Sequence, residues 1–182
     1  AAYRLLVSGS AVRACIVCPN SVKIPWKEEI EKQIGHNDLV IVPTGSTKDR
    51  ERVLLDKTPG SWIILNYEAL RYMEKAFRKF VEGQILILDE AHRVRNGRAI
   101  QTQIVTAARP AFVWGLTGTP IANRLEDVWS LVNIVRPGLL GWRWFQFERR
   151  HIKRNKFGAI SGYTHTDEIK DKLARVSLRR TK

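Results

Sequence analysis

Five short apolar runs lack the alternation of a half-solvated strand: "ACIVC" (14–18), "DLVIV" (38–42), "SWIIL" (61–65), "QILIL" (84–88) and "FVWGL" (112–116). Each is apolar at odd and even positions alike, so each needs cover on both sides. Parallel strands lying under helices on both faces meet that demand. The segments between them fit. From Tyr67 to Val81, Leu70, Met73, Phe77 and Phe80 recur at three- to four-residue spacing, while Arg71, Glu74, Lys75, Arg78 and Lys79 fall elsewhere around the helix. Asn96-Gly97 and Arg109-Pro110 bracket a second helix carrying Ile100 and Ile104. A third starts at Asn123 as N-cap, with Glu126 three residues on, and stops at "RPG". Strands alternating with helices predict an α/β sheet.

At 182 residues the chain is long enough for one domain with an extension. Its charge is uneven. The net charge is +13, and the segment from Arg136 onward holds 13 basic and 4 acidic residues. A basic surface of that size fits a polyanionic partner, nucleic acid above all, or else a solubilising face. The last forty residues also break the strand–helix rhythm. "GWRWFQFERRHIKRNKFGAISGYTHT" interleaves aromatic and basic residues, followed by a helix capped by Thr166 with Asp167 and Glu168 in its first turn. Such a mixture either binds nucleic acid or anchors an extension to its core. For Trp142 and Trp144 the anchor is the expectation. The organisation expected is a sheet domain over 1–140 and a basic, mainly helical extension over 141–182.

Cys15 and Cys18 invite a metal or redox reading, but no second pair completes a four-ligand zinc site. They lie in an apolar strand ending at Pro19, so core packing is expected. No apolar run approaches about 20 residues, and the first ten residues lack the apolar centre of a signal peptide. The expectation is an intracellular protein, cytoplasmic or nuclear according to its host, with no membrane partner.

Function is concentrated in "ILILDEAHRVRN" (85–96). Four aliphatic residues run directly into two acids. In open α/β sheets the ligand site lies outside the carboxyl ends of the strands, where Asp89 and Glu90 should stand. Adjacent acids there suit nucleotide hydrolysis: one orients Mg²⁺ on the phosphates and the other positions the attacking water.

This stretch resembles motif II, the DEAH box, of superfamily-two helicases. "GLTGTPIANRLEDVWSLVNIVRPGLLG" (115–141) resembles motif III and the following helix of Swi/Snf-type DNA translocases. "CIVCPNSVKIPWKEEI" (15–30) resembles their motif Ia with its Trp-x-x-Glu. "IILNYEALR" (63–71) and "LRRTK" (178–182) resemble two further segments, in the family's order. The resemblance implies a RecA-like first motor lobe, with a C-terminal extension leading to the inter-lobe linker. It implies ATP and Mg²⁺ as ligands. Its partners would be the phosphate backbone of double-stranded DNA and a second RecA-like lobe. Asp89 would hold Mg²⁺ through water and Glu90 would be the general base. His92, with Thr117, Gly118 and Thr119, would couple nucleotide state to DNA. Pro19, Asn20, Ser21 and Lys23 would approach the phosphodiester backbone, as would Asn66, where the family usually has threonine. Arg93, Arg95 and Asn96 match the polar stretch near DNA. Such contacts position a protein without reading sequence.

One departure stands out. No G-x-x-x-x-G-K-[ST] phosphate loop occurs anywhere in the sequence. In the family it lies upstream of the helix that "AAYRLLVSG" resembles. The expectation is therefore part of a first lobe, inert toward ATP alone and catalytic in a longer parent. The alternative is a non-catalytic nucleic-acid-binding module that keeps the fold. Retained Asp89, Glu90 and "TGTP" favour the first, since a pure binding module has no need of paired acids.

Overall fold

The computed structural model describes residues 2–34, 39–56, 58–118 and 124–178. Five parallel strands form one sheet: β1 (Ala14–Cys18), β2 (Val40–Ile41), β3 (Trp62–Asn66), β4 (Ile85–Asp89) and β5 (Phe112–Leu116), in the order β2-β3-β1-β4-β5. Four of the five expected runs match to within a residue. The fifth, 38–42, contributes only Val40 and Ile41, and Asp38 lies outside the described residues.

Cover on both faces is present. Cys15, Val17, Ile63, Leu65, Leu86 and Leu88 belong to one buried cluster. The intervening Ala14, Ile16, Cys18, Ile64, Ile85 and Ile87 belong to another. Adjacent side chains leave a strand on opposite faces, so these are the two sides of the sheet. The first is roofed by α3 (Thr47–Leu55), α4 (Glu74–Val81), α5 (Ile100–Ala107) and α6 (Leu125–Val135) through Leu54, Phe77, Ile104 and Ile134. The second is roofed by α1 (Ala2–Val7) and α2 (Lys23–Ile34) through Leu5, Leu6, Trp26 and Ile30. Cys15 and Cys18 are free, buried and on opposite faces, so they cannot share one ion. Burial pushes both thiols up, Cys18 to about 12.

The 67–81 helix is divided. Tyr67–Tyr72 is 3₁₀, and Met73 (φ −126°, ψ 26°) separates it from α4. In a 3₁₀ segment residues three apart eclipse, which puts Tyr67, Leu70 and Met73 on one buried line. α3 is absent from the sequence expectations. Its signal is "STKD", where Asp49 N–H donates to Ser46 Oγ and Ser46 N–H to the Asp49 carboxylate, a capping box. α6 begins at Leu125 after Arg124, which makes no side-chain cap, and Asn123 lies outside the described residues.

The C-terminal segment holds α7 (Trp144–His151) and α8 (Thr166–Ala174), joined by an antiparallel hairpin of β6 (Ile152–Arg154) and β7 (Ile160–Tyr163). The two helices match the expected helical character of the extension, and the hairpin is an element that expectation lacked. Phe147, Ile152 and Ile169 pack with Leu140 on Val128 and Val132 of α6. Trp144 anchors as expected, its ring 5.4 Å from Trp129. Trp142 does not: it is 75% exposed, its ring resting on Gly138, where a Cβ would meet it at 2.6 Å. Thr166 is also corrected, being the first helical residue. His165, left-handed at φ 51°, occupies the cap position.

Two outcomes follow from this packing. A Cβ at Gly115 would lie 3.3 Å from both Ala91 Cβ and Val135 Cγ2. Gly115→Val should therefore cost about 1–3 kcal/mol by overpacking, read as a lowered midpoint of thermal unfolding. Gly118→Ala, with nothing among the described residues within 4 Å of the added carbon, should leave the stability within about 0.5 kcal/mol of the parent. The second outcome concerns Glu168. Hydrogen bonds from Lys172 and Arg150 lower its carboxyl from the ordinary 4.5 to about 2. The folded state then binds fewer protons than the unfolded one in that window. Its stabilising contribution is complete above the unfolded value and is lost as pH falls through the folded one. An acid titration followed by circular dichroism should show less pH dependence between those values in Glu168→Gln.

Candidate functional site

Parallel pairing decides where the site is. Cys18 stands opposite Asn66, Val17 opposite Leu88, and Asp89 opposite Leu116. The carboxyl ends of β1, β3, β4 and β5 therefore finish side by side. Pro19–Lys23, Asn66–Glu68, Asp89–Asn96 and Thr117–Gly118 emerge along that one edge.

Asp89 is held at three atoms. Its Oδ2 accepts from Trp26 Nε1 at 2.8 Å, its Oδ1 from the Glu90 N–H at 2.9 Å, and its backbone carbonyl from the Tyr67 hydroxyl at 2.6 Å. Tyr67 is buried, and its phenol is pushed well above the usual range, first by burial and then by the charge of Asp89. Glu90 takes the left-handed conformation (φ 49°, ψ 50°) before the 3₁₀ turn Ala91–Val94. Its Oε2 lies 3.1 Å from His92 Nδ1, which is also 3.4 Å from Thr117 Oγ1. A carboxylate only accepts, so the geometry assigns the proton to His92 Nδ1. Glu90, His92 and Thr117 thus form one connected group. Gly118 stands beside it, and Thr119 lies outside the described residues.

The remaining candidate residues divide. Pro19 precedes a 3₁₀ turn of Asn20–Val22, and the Val22 N–H returns to the Pro19 carbonyl at 3.1 Å. Asn20 and Ser21 are exposed there, and Lys23 opens α2. Asn66 Nδ2 donates to Glu68 Oε2 at 2.9 Å, and Arg93 pairs with Glu68 Oε1 at 3.1 Å while lying over the Tyr67 ring. Asn66, and secondarily Arg93, hold the Glu68 carboxyl below its ordinary value. Arg95 is drawn to Asp127 of α6, Nε to Oδ2 at 3.5 Å. Asn96 is exposed and accepts the Arg98 N–H. Sequence reasoning gave no role to Trp26, Tyr67, Glu68 or Asp127. All four sit inside the quoted motifs, yet nothing in one dimension pairs Trp26 with a residue 63 positions away.

The edge offers hard oxygen donors in Asp89 and Glu90. Neutral donors occupy both Asp89 oxygens without adding charge, so each keeps a lone pair for a hydrated cation. That fits Mg²⁺, which binds through one or two carboxylates, water and substrate oxygens. Among the described residues no group of three or more His, Cys, Asp or Glu is placed to hold a metal alone. No described helix is long and apolar enough to cross a membrane.

Comparisons with known proteins agree with this architecture. The family model described as the SNF2-related domain matches residues 7–182. The chain is 32% identical over 152 residues to mouse DNA excision repair protein ERCC-6-like 2, covering 83% of this chain and 9% of that protein. It is 33% identical over 130 residues to chicken DNA repair and recombination protein RAD54B, covering 71% and 14%. It superimposes on the Sulfolobus solfataricus SWI2/SNF2 ATPase core in complex with dsDNA with a TM-score of 0.76 at 26% identity, covering 98% of this chain and 36% of that one. The chain thus spans roughly a tenth to a seventh of these two repair proteins. The sheet is the RecA-like sheet of that ATPase core, and the chain belongs to the SNF2-related domain family.

Proposed function

We propose that this chain is the DEAH-box part of a DNA-dependent ATPase motor, acting together with a phosphate loop and a second RecA-like lobe. The observation that carries the reading is the connected edge of Asp89, Glu90, His92 and Thr117, raised at the ends of adjacent strands. When bound, Mg²⁺ supplies Lewis-acid charge at the phosphate oxygens. Asp89 orients its water shell. Glu90 accepts the proton of the water that attacks the terminal phosphorus, and His92 holds that carboxylate toward β5. A change at Thr117 then reaches Glu90 through one imidazole. Asn20 and Ser21 donate to the DNA phosphodiester backbone. Asn66 and Arg93 join them when phosphate competes with Glu68 for their N–H groups. Duplex translocation, rather than strand separation, is the family's implied output.

Two measurements test this. In a two-lobed protein carrying this segment, Glu90→Gln should keep nucleotide binding while phosphate release falls by about 10²–10⁴-fold, the usual cost of removing a general base. Release within twofold of the parent would remove Glu90 from the mechanism. For the 182-residue chain, duplexes of unrelated sequence should bind with equal affinity. That affinity should fall by about 10²-fold between 50 and 200 mM salt if about four phosphates are contacted. A strong sequence preference or a flat salt response would contradict backbone recognition.

A further inference from the structure

The bond from Trp26 to Asp89 is the most specific polar contact at the sheet edge that the catalytic reading leaves without a role. Trp26 sits in the first turn of α2, directly after the Pro19–Lys23 segment. Its ring packs on the core face formed by Ile16, Ile64 and Ile87, while its single donor, Nε1, meets Asp89 Oδ2 at 2.8 Å. An indole N–H is a neutral donor with no acceptor capacity. So is the Glu90 amide at Oδ1, and the Tyr67 hydroxyl reaches only the backbone carbonyl. Among the described residues no Lys or Arg forms an ion pair with Asp89, whereas Glu68, Asp127, Glu148 and Glu168 each hold an arginine. The distinction is physical. Each of those four acids has a partner that cancels its charge. Asp89 is oriented at both carboxylate oxygens and left with its charge intact.

We propose that Trp26 is a positioning residue for Asp89: its indole fixes the plane of the carboxylate that orients the divalent cation. The inference rests on the metal role proposed for Asp89. It adds that the helix following the phosphodiester-contacting segment takes part in building the cation site. Partners that orient a metal-binding carboxylate typically contribute about 10–100-fold in metal affinity.

The test uses the ¹⁵N-labelled 182-residue chain and Mn²⁺ alone as probe. Of the six indole N–H resonances, one for each tryptophan, that of Trp26 is the one lost in Trp26→Phe. On titration it should broaden before the other five, and Asp89→Asn should abolish the effect. Water-proton relaxation should show Mn²⁺ binding weakened about tenfold in Trp26→Phe, with the thermal unfolding transition retained. If Asp89→Asn weakens Mn²⁺ binding but a folded Trp26→Phe leaves it within twofold of the parent, the positioning role is overturned. Mn²⁺ binding unchanged in Asp89→Asn would overturn the metal reading itself. Should Trp26→Phe fail to fold, hydrogen exchange at the Trp26 indole decides. Faster exchange in Asp89→Asn than in the parent supports the bond, and equal exchange overturns it.

Discussion

Backbone pairing of β1 with a parallel neighbour on each side underlies the rest of the molecule. Ala14 to Cys18 are inaccessible to solvent, and their N–H and C=O groups are satisfied by β3 on one side and β4 on the other. A buried strand leaves little freedom of register, because a slip of one residue would exchange its two side-chain sets between the two cores. With register set, the ends of β1, β3, β4 and β5 finish level. The polar residues that follow each strand meet without any of them having to reach. The site is thus a by-product of strand length: the runs stop being apolar within one residue of the same height.

What the sequence alone revealed follows from the range of each interaction. Continuous apolar runs announced buried parallel strands, since burial on both faces leaves no polar position. Asp89, Glu90, His92 and Thr117 were legible because a collinear set of motifs surrounds them, and the structure brings all four together. The break at Met73 was hidden, because three- and four-residue spacings both suit an amphipathic helix until the strands above select the eclipsed one. The hairpin was hidden as well. Ile152–Arg154 and Ile160–Tyr163 are too short to show alternation, and only Asn155 and Gly158 mark the turn. There the Asn155 Oδ1 accepts the N–H groups of Phe157 and Ala159. Trp142 misled because an aromatic near a chain extension usually buries, whereas the turn at Gly138 lays this ring flat on the surface. Trp26 could be quoted within a motif, but its partner is set by tertiary geometry alone.

Charge follows a similar division of labour. The chain is strongly basic, yet Arg93, Arg95, Arg150 and Arg154 are each held by a carboxylate. Exposed pairs of this kind contribute at most about 1 kcal/mol each, so a phosphate can displace the acid at small cost. An arginine parked on Glu68 is kept in the right place rather than locked there. Asn66 shares the same carboxylate, so release of one changes the hold on the other.

Glu90 is one of two non-glycine residues with positive φ among those described. A side chain with a Cβ pays roughly 1–2 kcal/mol for that conformation, and glycine pays almost nothing. The fold would therefore gain by giving up the carboxylate at position 90, the group on which turnover is proposed to depend. Stability and chemistry pull this residue in opposite directions. A lineage released from catalysis would be expected to drift toward glycine or asparagine here, where a lineage under selection for turnover keeps the strained acid. The residue type held at this one left-handed position thus becomes a record of whether the motor is still in use.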